Sequence, residues 1–368
     1  MKRNKKIAIF LGHPSQYHFF KNAIRILKKK GFEIDLLVKN KDIIKDLLDE
    51  SGTDYYMVRK NERKRKSKVA LALSLILLEW RTFFRLISKK PSLYVGTCGS
   101  LIEKCTGIPI ISCCEDDAKM TPIYAKLAYP YASAILSPRS CDNGKWNKKT
   151  INYCGYQKLA YLHPNHFQPD LNIVKKYITL DKPYFIMRFS SFQAYHDRDG
   201  FKGIDLQIAM NIIAILKEYG NVYITSERKL EPELEGYRLL IKPIDMHHIL
   251  AFADFYIGDS QSMAVEAAML GIPCVCYNEW VGKVGIMVEL ENKYHLIRSV
   301  KSGHPEKLYQ TILEMTAIPE LREQLQRSRE KMLSEKIDVT AFLVWFIENY
   351  PESKNKLKKE PEYQYNFK

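Results

Sequence analysis

One segment of the chain combines the residue types needed to hold a nucleotide diphosphate. Gly258 and Asp259 follow the apolar run 255–257, and a longer apolar stretch then continues to Gly271. This order predicts a buried strand, a polar turn and a helix, and the amides and dipole of a helix start attract anions. Gly258 would let a ligand approach the backbone closely. The candidate phosphate contacts are Ser260, Gln261 and Ser262.

A carboxylate follows these residues on the same predicted helix. Glu266 lies four residues after Ser262, so the two side chains share a helix face. A carboxylate accepts hydrogen bonds from hydroxyl groups, and Glu266 could therefore hold both hydroxyls of a ribose. The alternative is a structural one, in which Ser260 caps the helix and Glu266 faces solvent.

A second candidate set surrounds the predicted strand 184–189. Arg188 lies in this strand and offers a planar fork to a diphosphate. In the loop that follows, Ser190 and Ser191 could bind phosphate oxygens, and His196 could protonate a departing phosphate. The alternative is a solvated loop held by an ion pair between Arg188 and Asp197.

Two further candidate groups follow strands in the first half of the chain. His13 comes directly after the predicted strand 6–11 and is a candidate general base or substrate contact, although it could instead cap or pack the first helix together with His18. The acidic run Glu115, Asp116 and Asp117 follows the predicted strand 108–112. These acids could bind sugar hydroxyls or act as a base, or could form a solvated turn.

The elements that position these residues alternate between strand and helix, and the alternation restarts near residue 184. This pattern predicts two α/β domains with parallel sheets, whose ligands bind at the carboxyl ends of the strands. The predicted boundaries are an N-terminal domain at 1–162, a linker at 163–182 and a C-terminal domain at 183–336 that holds the candidate diphosphate site. We expect a helix at 337–350 to pack back on the N-terminal domain, and a frayed polar tail at 351–368.

Charge is distributed unevenly along the 368 residues. The net charge is +15, and residues 1–90 hold 23 Lys and Arg against 9 Asp and Glu. The basic stretch 59–68 precedes an apolar and aromatic stretch at 69–84. Such a combination suits peripheral attachment to an anionic membrane, and the alternative is a buried core helix after a solvated loop. We expect no nucleic-acid partner, because no nucleic-acid-binding motif is present.

The eight cysteines form no CxxC pair and no His/Cys spacing suited to zinc, which indicates free thiols in a cytosolic protein. The sequence predicts no secretory leader, and the apolar run 69–78 is half of the roughly 20 residues that a membrane-spanning helix needs. We therefore expect a cytoplasmic protein that contacts the inner face of the membrane.

Four segments together resemble the family catalogued as domain of unknown function 354, which is itself similar to GT-B glycosyltransferases and to UDP-N-acetylglucosamine 2-epimerases. The resemblance implies the GT-B architecture, in which two Rossmann-like αβα domains face each other across a cleft. The segments are Gly12-His-Pro-Ser-Gln-Tyr-His-Phe-Phe-Lys-Asn, Gly155-Tyr-Gln-Lys-Leu-Ala-Tyr-Leu-His-Pro, Arg188-Phe-Ser-Ser-Phe-Gln-Ala-Tyr-His-Asp and Ile257-Gly-Asp-Ser-Gln-Ser-Met.

This resemblance implies a glycosyltransferase that moves a sugar from a nucleotide diphospho-sugar, expected to be UDP-linked, to a glycan or lipid-linked acceptor in surface polysaccharide biosynthesis. We expect no cofactor beyond this donor and no metal at Asp197-Arg-Asp199, since helix starts and cations stabilise the leaving diphosphate in similar enzymes. An epimerase is the alternative, although the Gly-Asp of one epimerase loop appears here as Gly96-Thr97. A non-catalytic protein of the membrane surface is the second alternative.

Overall fold

The computed structural model describes residues 5–41, 43–59, 68–190 and 203–368, with the side chains of residues 68–72 left out of the description. The chain divides into two compact units. The first unit is Met1–Tyr161 together with Lys336–Lys368, and the second unit is Leu162–Glu335.

The first unit is built on a parallel sheet, which has seven strands in the part of the chain that the structure describes. Their order is β3-β2-β1-β4-β5-β6-β7, so the direction of strand addition reverses between β1 and β4. Such a reversal opens a crevice at the carboxyl edge of a parallel sheet. The strands are β1 (Lys6–Leu11), β2 (Glu33–Lys39), β3 (Tyr56–Arg59), β4 (Leu93–Gly96), β5 (Ile110–Cys113), β6 (Ala134–Pro138) and β7 (Thr150–Tyr153).

Helices connect these strands and pack their apolar faces against the sheet. Ala8, Leu37, Val58 and Tyr94 from the sheet form one buried cluster with Leu86 from a connecting helix. The helices are α1 (Pro14–Lys29), α2 (Ile44–Glu50), α3 (Lys68–Lys89), α4 (Leu101–Lys104), α5 (Pro122–Ala128) and α6 (Leu159–Leu162).

The second unit has a parallel sheet of five strands among its described residues, in the order β12-β11-β10-β8-β9. Here the direction of strand addition reverses between β8 and β10. The strands are β8 (Tyr184–Phe189), β9 (Asn221–Ser226), β10 (Phe255–Gly258), β11 (Cys274–Tyr277) and β12 (Arg298–Val300).

The helices of the second unit enclose an apolar core that includes Met187, Ile212, Ile257 and Val275. Gly271 ends α10 in the left-handed conformation (φ 67°), which is the reason for a glycine at that position. The helices are α7 (Leu171–Val174), α8 (Leu206–Lys217), α9 (Met246–Phe252), α10 (Gln261–Leu270), α11 (Gly285–Asn292), α12 (Pro305–Thr316) and α13 (Leu321–Glu335).

The predicted linker at 163–182 is largely part of the second unit. It contains α7, which contacts α9, and its Tyr177 hydroxyl donates a hydrogen bond of 2.7 Å to Asp245. The amide of Asp170 donates to Nδ1 of His248 over 3.1 Å. Two prolines interrupt regular structure in this segment, but they do not prevent it from packing.

The C-terminal segment returns to the first unit through α14 (Val339–Glu348), which contacts α1. The expectation of a frayed tail at 351–368 is wrong, because α15 (Glu352–Lys359) and a 3₁₀ helix at Pro361–Phe367 follow. Gln364 is buried and accepts a hydrogen bond of 2.6 Å from the amide of Cys154. A polar sequence therefore forms an ordered end through side-chain bonds to the sheet.

Candidate functional site

The carboxyl ends of β8 and β10 lie side by side where the strand order of the second unit reverses. Gly258 pairs with Arg188 in the register of these strands, and the amide of Asp259 donates to the carbonyl of Arg188 over 3.3 Å. The structure therefore brings together Arg188 and the residues that directly follow β8 and β10, Ser190 and Ser260, which the sequence analysis selected independently. Ligands of open parallel sheets bind at such reversal points.

The start of α10 has the properties of an anion site. Ser260 occupies the N-cap position in extended backbone conformation, but its side chain makes no capping hydrogen bond. Ser262 is exposed, and Ser260 and Gln261 are partly exposed. The first amides of α10 thus have no side-chain cap among the described residues, and they lie at the positive end of the helix dipole.

A buried asparagine holds this helix start in place. Asn278 follows β11, accepts a hydrogen bond of 2.9 Å from the side-chain amide of Gln261 and donates one of 3.0 Å to the carbonyl of Asp259. Gln261 is therefore engaged within the protein through its amide nitrogen. Sequence reasoning missed Asn278, although its position directly after a buried apolar run was an available signal.

Glu266 lies one turn into α10, where its carboxylate faces a histidine rather than bulk solvent. His247 Nε2 lies 3.4 Å from Glu266 Oε1, and the exposed fractions of the two side chains are 5% and 12%. The solvated alternative for Glu266 is therefore wrong. The contact orients the carboxylate beside the helix start. No sequence signal pointed to His247, because the pairing depends on how α9 packs against α10.

The carboxylate of Asp259 ties two points of the chain together. It accepts hydrogen bonds from the amide of Ser190 at 2.7 Å and from the amide of Ile204 at 3.3 Å. Burial raises the pKa of Asp259 to about 6, although these hydrogen bonds and Arg228 favour the charged form. Asp259 therefore holds Ser190 and Ile204 near the helix start, which is a structural role.

Gly258 serves strand packing. A Cβ atom at this position would lie 2.5 Å from the Tyr256 hydroxyl and 2.8 Å from the carbonyl oxygen of Arg188. These contacts explain the glycine without a ligand, and the expectation that it lets a ligand approach stays a prediction.

Arg188 points from β8 toward the end of β9. One of its terminal nitrogens donates to Glu227 over 2.7 Å, so its observed partner is this glutamate. Its Nε is buried, and no acceptor for it lies among the described residues. The predicted residues Ser191, His196 and Asp197 lie outside the described residues.

In the first unit, His13 caps α1. Its Nδ1 accepts a hydrogen bond of 3.2 Å from the amide of Ser15, which is the capping alternative. Burial, and to a smaller extent repulsion from Lys41, Lys158 and Lys39, lowers the pKa of His13 to about 3. The imidazole is neutral near pH 7 and poorly suited to accept a proton there.

The acids after β5 have three different environments. Glu115 forms an ion pair of 2.6 Å with the buried Lys158, and burial raises the pKa of Glu115. Its second carboxylate oxygen is buried, and no described residue forms a hydrogen bond with it. Asp116 is exposed, whereas Asp117 is buried and accepts a hydrogen bond of 2.5 Å from the amide of Asp142. Sequence reasoning missed Lys158.

In the first unit, side-chain hydrogen bonds link the residues that follow β1 and β4, the two strands between which the strand order reverses. Gln16 accepts a hydrogen bond of 2.6 Å from the amide of Gly12 and donates another to the hydroxyl of Thr97. Thr97 in turn donates to the carbonyl of Cys113. The residue after β4 is thus a hydrogen-bonded threonine instead of a carboxylate. Across the described ranges, no group of His, Cys, Asp and Glu side chains is arranged to hold a metal ion.

Comparison with known proteins places this geometry in context. The profile of the family described as "Protein of unknown function (DUF354)" matches residues 6–300. No curated protein matches the sequence.

Several solved structures share the fold at low sequence identity. The MnaA–UDP structure from S. aureus has a TM-score of 0.66 at 14% identity, covering 95% of this chain and 97% of that one. UDP-GlcNAc 2-epimerase from Neisseria meningitidis bound to UDP-GlcNAc has a TM-score of 0.63 at 12% identity, covering 94% and 100%. The spinosyn rhamnosyltransferase SpnG complexed with thymidine diphosphate has the same TM-score, identity and coverages. The chain therefore has the α/β fold of GT-B glycosyltransferases and epimerases.

Proposed function

The chain belongs to the family described as "Protein of unknown function (DUF354)", and on that premise we propose that it is a glycosyltransferase that uses a nucleotide diphospho-sugar, UDP-linked in our proposal. The observation that carries the proposal is the uncapped start of α10 at the point where strand order reverses in the second unit. Two of the structures with this fold contain UDP or UDP-GlcNAc, which supports a nucleotide-sugar as the ligand.

In this proposal the second unit binds the donor. The amides that open α10 and the hydroxyls of Ser260 and Ser262 bind the diphosphate. Glu266, oriented by His247, accepts hydrogen bonds from the ribose hydroxyls. Arg188 stabilises the negative charge of the departing diphosphate, and its buried Nε, which has no acceptor among the described residues, supports this role. Cationic and dipolar groups suffice for that charge, so the proposal requires no metal.

The first unit supplies the base in this proposal. Glu115 or Asp116 removes the proton from the acceptor hydroxyl, and the raised pKa of Glu115 brings its titration closer to neutral pH. His13, with a pKa of about 3, contributes contacts rather than proton transfer. The acceptor in our proposal is a glycan or a lipid-linked precursor of a surface polysaccharide, and His196 remains a proposed acid for the leaving group.

A nucleotide-sugar 2-epimerase is the second candidate, because one structure with the same fold is a UDP-GlcNAc 2-epimerase. Thr97 disfavours it here, since the position after β4 holds a hydroxyl engaged by Gln16 and Cys113. The two reactions differ in one requirement. An epimerase converts its nucleotide-sugar without a second substrate, so incubating a panel of UDP-sugars with the protein alone and analysing the sugar by NMR separates them.

Nucleotide affinity tests the donor site directly. We expect UDP to raise the melting temperature of the wild-type protein, and Glu266→Ala to weaken UDP binding in calorimetry by at least about tenfold, because two charge-assisted hydrogen bonds are lost. Glu266→Gln should weaken binding less, since the amide still contacts the hydroxyls. The matched control is Glu330→Ala, an exposed glutamate of α13. Equal affinity in wild type and Glu266→Ala would remove the ribose role of Glu266.

A further inference from the structure

One face of α3 is apolar and exposed along most of the helix. Leu77 is 58% exposed and Phe84 is 62% exposed. With about 100° of rotation per residue, the exposed apolar side chains other than Leu75, which is 39% exposed and lies on the opposite side, fall within an arc of about 100°. These residues, which we call the α3 face, are Leu73, Ile76, Leu77, Trp80, Phe84 and Ile87.

The opposite side of α3 holds the helix on the first unit. Leu78, Thr82 and Leu86 are buried and project from the side opposite to the α3 face. Arg85 adds two hydrogen bonds to the carboxylate of Asp35, at 3.0 and 2.7 Å. The helix is therefore anchored through one side, and its apolar residues on the other side do not serve the core.

Aromatic rings dominate the C-terminal half of the α3 face. The ring of Trp80 stacks on Phe84 at 5.8 Å, and Phe83 meets both rings edge-on at 5.7 and 5.6 Å. Leu101, on the adjoining helix α4, is 58% exposed. Large apolar patches on a protein surface indicate interaction sites, and tryptophan and phenylalanine are typical of helices that lie at the interface of a bilayer.

The charge of residues 1–90, the part of the chain that contains α3, selects the occupant. Residues 1–90 carry an excess of 14 basic over acidic side chains, which is nearly the whole net charge of +15. Exposed Arg81 lies on α3 itself, and exposed Lys104 lies on α4. A second copy of the chain would bring the same positive charge to the contact and would be repelled, whereas a surface of anionic lipid headgroups is attracted.

We propose that the α3 face binds the surface of an anionic lipid bilayer, with α3 lying in the plane of the headgroups. The 22 residues of α3 would extend about 33 Å along that surface. In the described part of the chain, no helix is both long and apolar enough to cross a membrane. The bilayer contact is therefore peripheral, and it does not depend on the proposed reaction.

Cosedimentation with vesicles tests the proposal. The full chain should bind vesicles that contain phosphatidylglycerol, and should bind pure phosphatidylcholine vesicles at least about tenfold more weakly. Raising the salt from about 0.1 to about 0.5 M should weaken the anionic binding, because it shortens the screening length. The double variant Leu77→Gln/Phe84→Gln should lose at least about tenfold in partitioning, since two exposed apolar side chains no longer enter the interface.

A matched control uses two exposed leucines of the second unit, Leu240 at 77% and Leu313 at 47%. Leu240→Gln/Leu313→Gln should bind anionic vesicles as the wild type does. Circular dichroism and the melting temperature should show that both double variants fold, because all four side chains are exposed. The proposal is overturned if the wild type does not bind anionic vesicles. It is overturned equally if the two double variants bind them with the same affinity. It is also overturned if sedimentation equilibrium shows a wild-type dimer that Leu77→Gln/Phe84→Gln dissociates without any vesicle binding, since the α3 face is then an interface between copies.

Discussion

His13 illustrates how one side chain can satisfy a structural requirement at a position where chemistry is also plausible. Its ring nitrogen accepts a hydrogen bond from the amide of Ser15 at the start of α1, and also lies 2.9 Å from the Ser15 hydroxyl. Nδ1 can accept this hydrogen bond only when the ring is neutral, and the low pKa of His13 keeps the ring neutral near pH 7.

This capping role predicts different effects for two substitutions. His13→Ala should lower the free energy of unfolding by about 1 kcal/mol, because the first turn of α1 loses its cap. His13→Asn should retain most of the stability, since asparagine is a strong N-cap residue. Denaturant titration of the three proteins near pH 7 measures the difference. A larger loss in the asparagine variant than in the alanine variant would contradict the capping interpretation.

Residues of the candidate site divide into those that sequence could identify and those that it could not. Arg188, Ser190 and Ser260 follow or end apolar runs, and the rule that parallel strands present ligands at their carboxyl ends was enough to select them. His247 and Lys158 contact Glu266 and Glu115 across distances of 19 and 43 residues in sequence. Such pairs depend on tertiary packing, which local spacing does not encode.

At the scale of elements, the strand and helix that carry the donor site were predicted closely. The predicted strand 184–189 coincides with β8, and the expected helix after residue 257 is α10. The sequence pattern did not predict β3 and β12, because each is a short edge strand of four or three residues. Short edge strands are determined by pairing with a neighbour more than by their own sequence.

Asp259 connects β10 to the loop after β8, and its titration should appear in stability. Its folded-state pKa of about 6 is above the ordinary value of 3.8, so the folded protein binds this proton more tightly. Residue 259 cannot titrate in Asp259→Asn. Relative to that variant, the wild type should therefore lose roughly 1.4 kcal/mol of unfolding free energy for each unit by which the pH rises from about pH 4 to 6. The difference should level off above pH 6.

Denaturant titrations of the wild type and Asp259→Asn at several pH values measure this slope. Asp205→Asn is a suitable control, because Asp205 caps α8 in the same unit and asparagine also serves as an N-cap. A difference between wild type and Asp259→Asn that stays constant from pH 4 to 6 would show that Asp259 has an ordinary pKa.

At the scale of the whole molecule, the two units differ in which segments of the chain form them. The second unit is one continuous segment, whereas the first unit needs residues from both ends. Ile337 donates a backbone hydrogen bond of 2.9 Å to Cys154, and the hydroxyl of Thr340 donates one of 2.7 Å to Ala160. The sequence predicted two α/β units and a helix at 337–350 on the N-terminal domain, but the ordered end at 351–368 has a polar sequence and gave no such signal.

This difference predicts the behaviour of fragments. Residues 162–335 expressed alone should unfold cooperatively, because the core of the second unit lies within them. Residues 1–161 alone should not, since α14 no longer covers α1. Adding residues 336–368 through a flexible linker should restore cooperative unfolding. Circular dichroism during thermal denaturation distinguishes the three fragments, and cooperative unfolding of 1–161 alone would contradict the prediction.

The same connectivity sets an order of events during synthesis on the ribosome. The sheet of the first unit emerges early, but Val339, which fills the space beside Gly155, and Gln364, which binds the amide of Cys154, are translated only after the entire second unit. The N-terminal strands therefore stay incompletely covered while the second unit, which is translated later, reaches its native state before them. For that interval α1 lacks the cover that α14 later provides, and the earliest residues to be made are among the last to be completed.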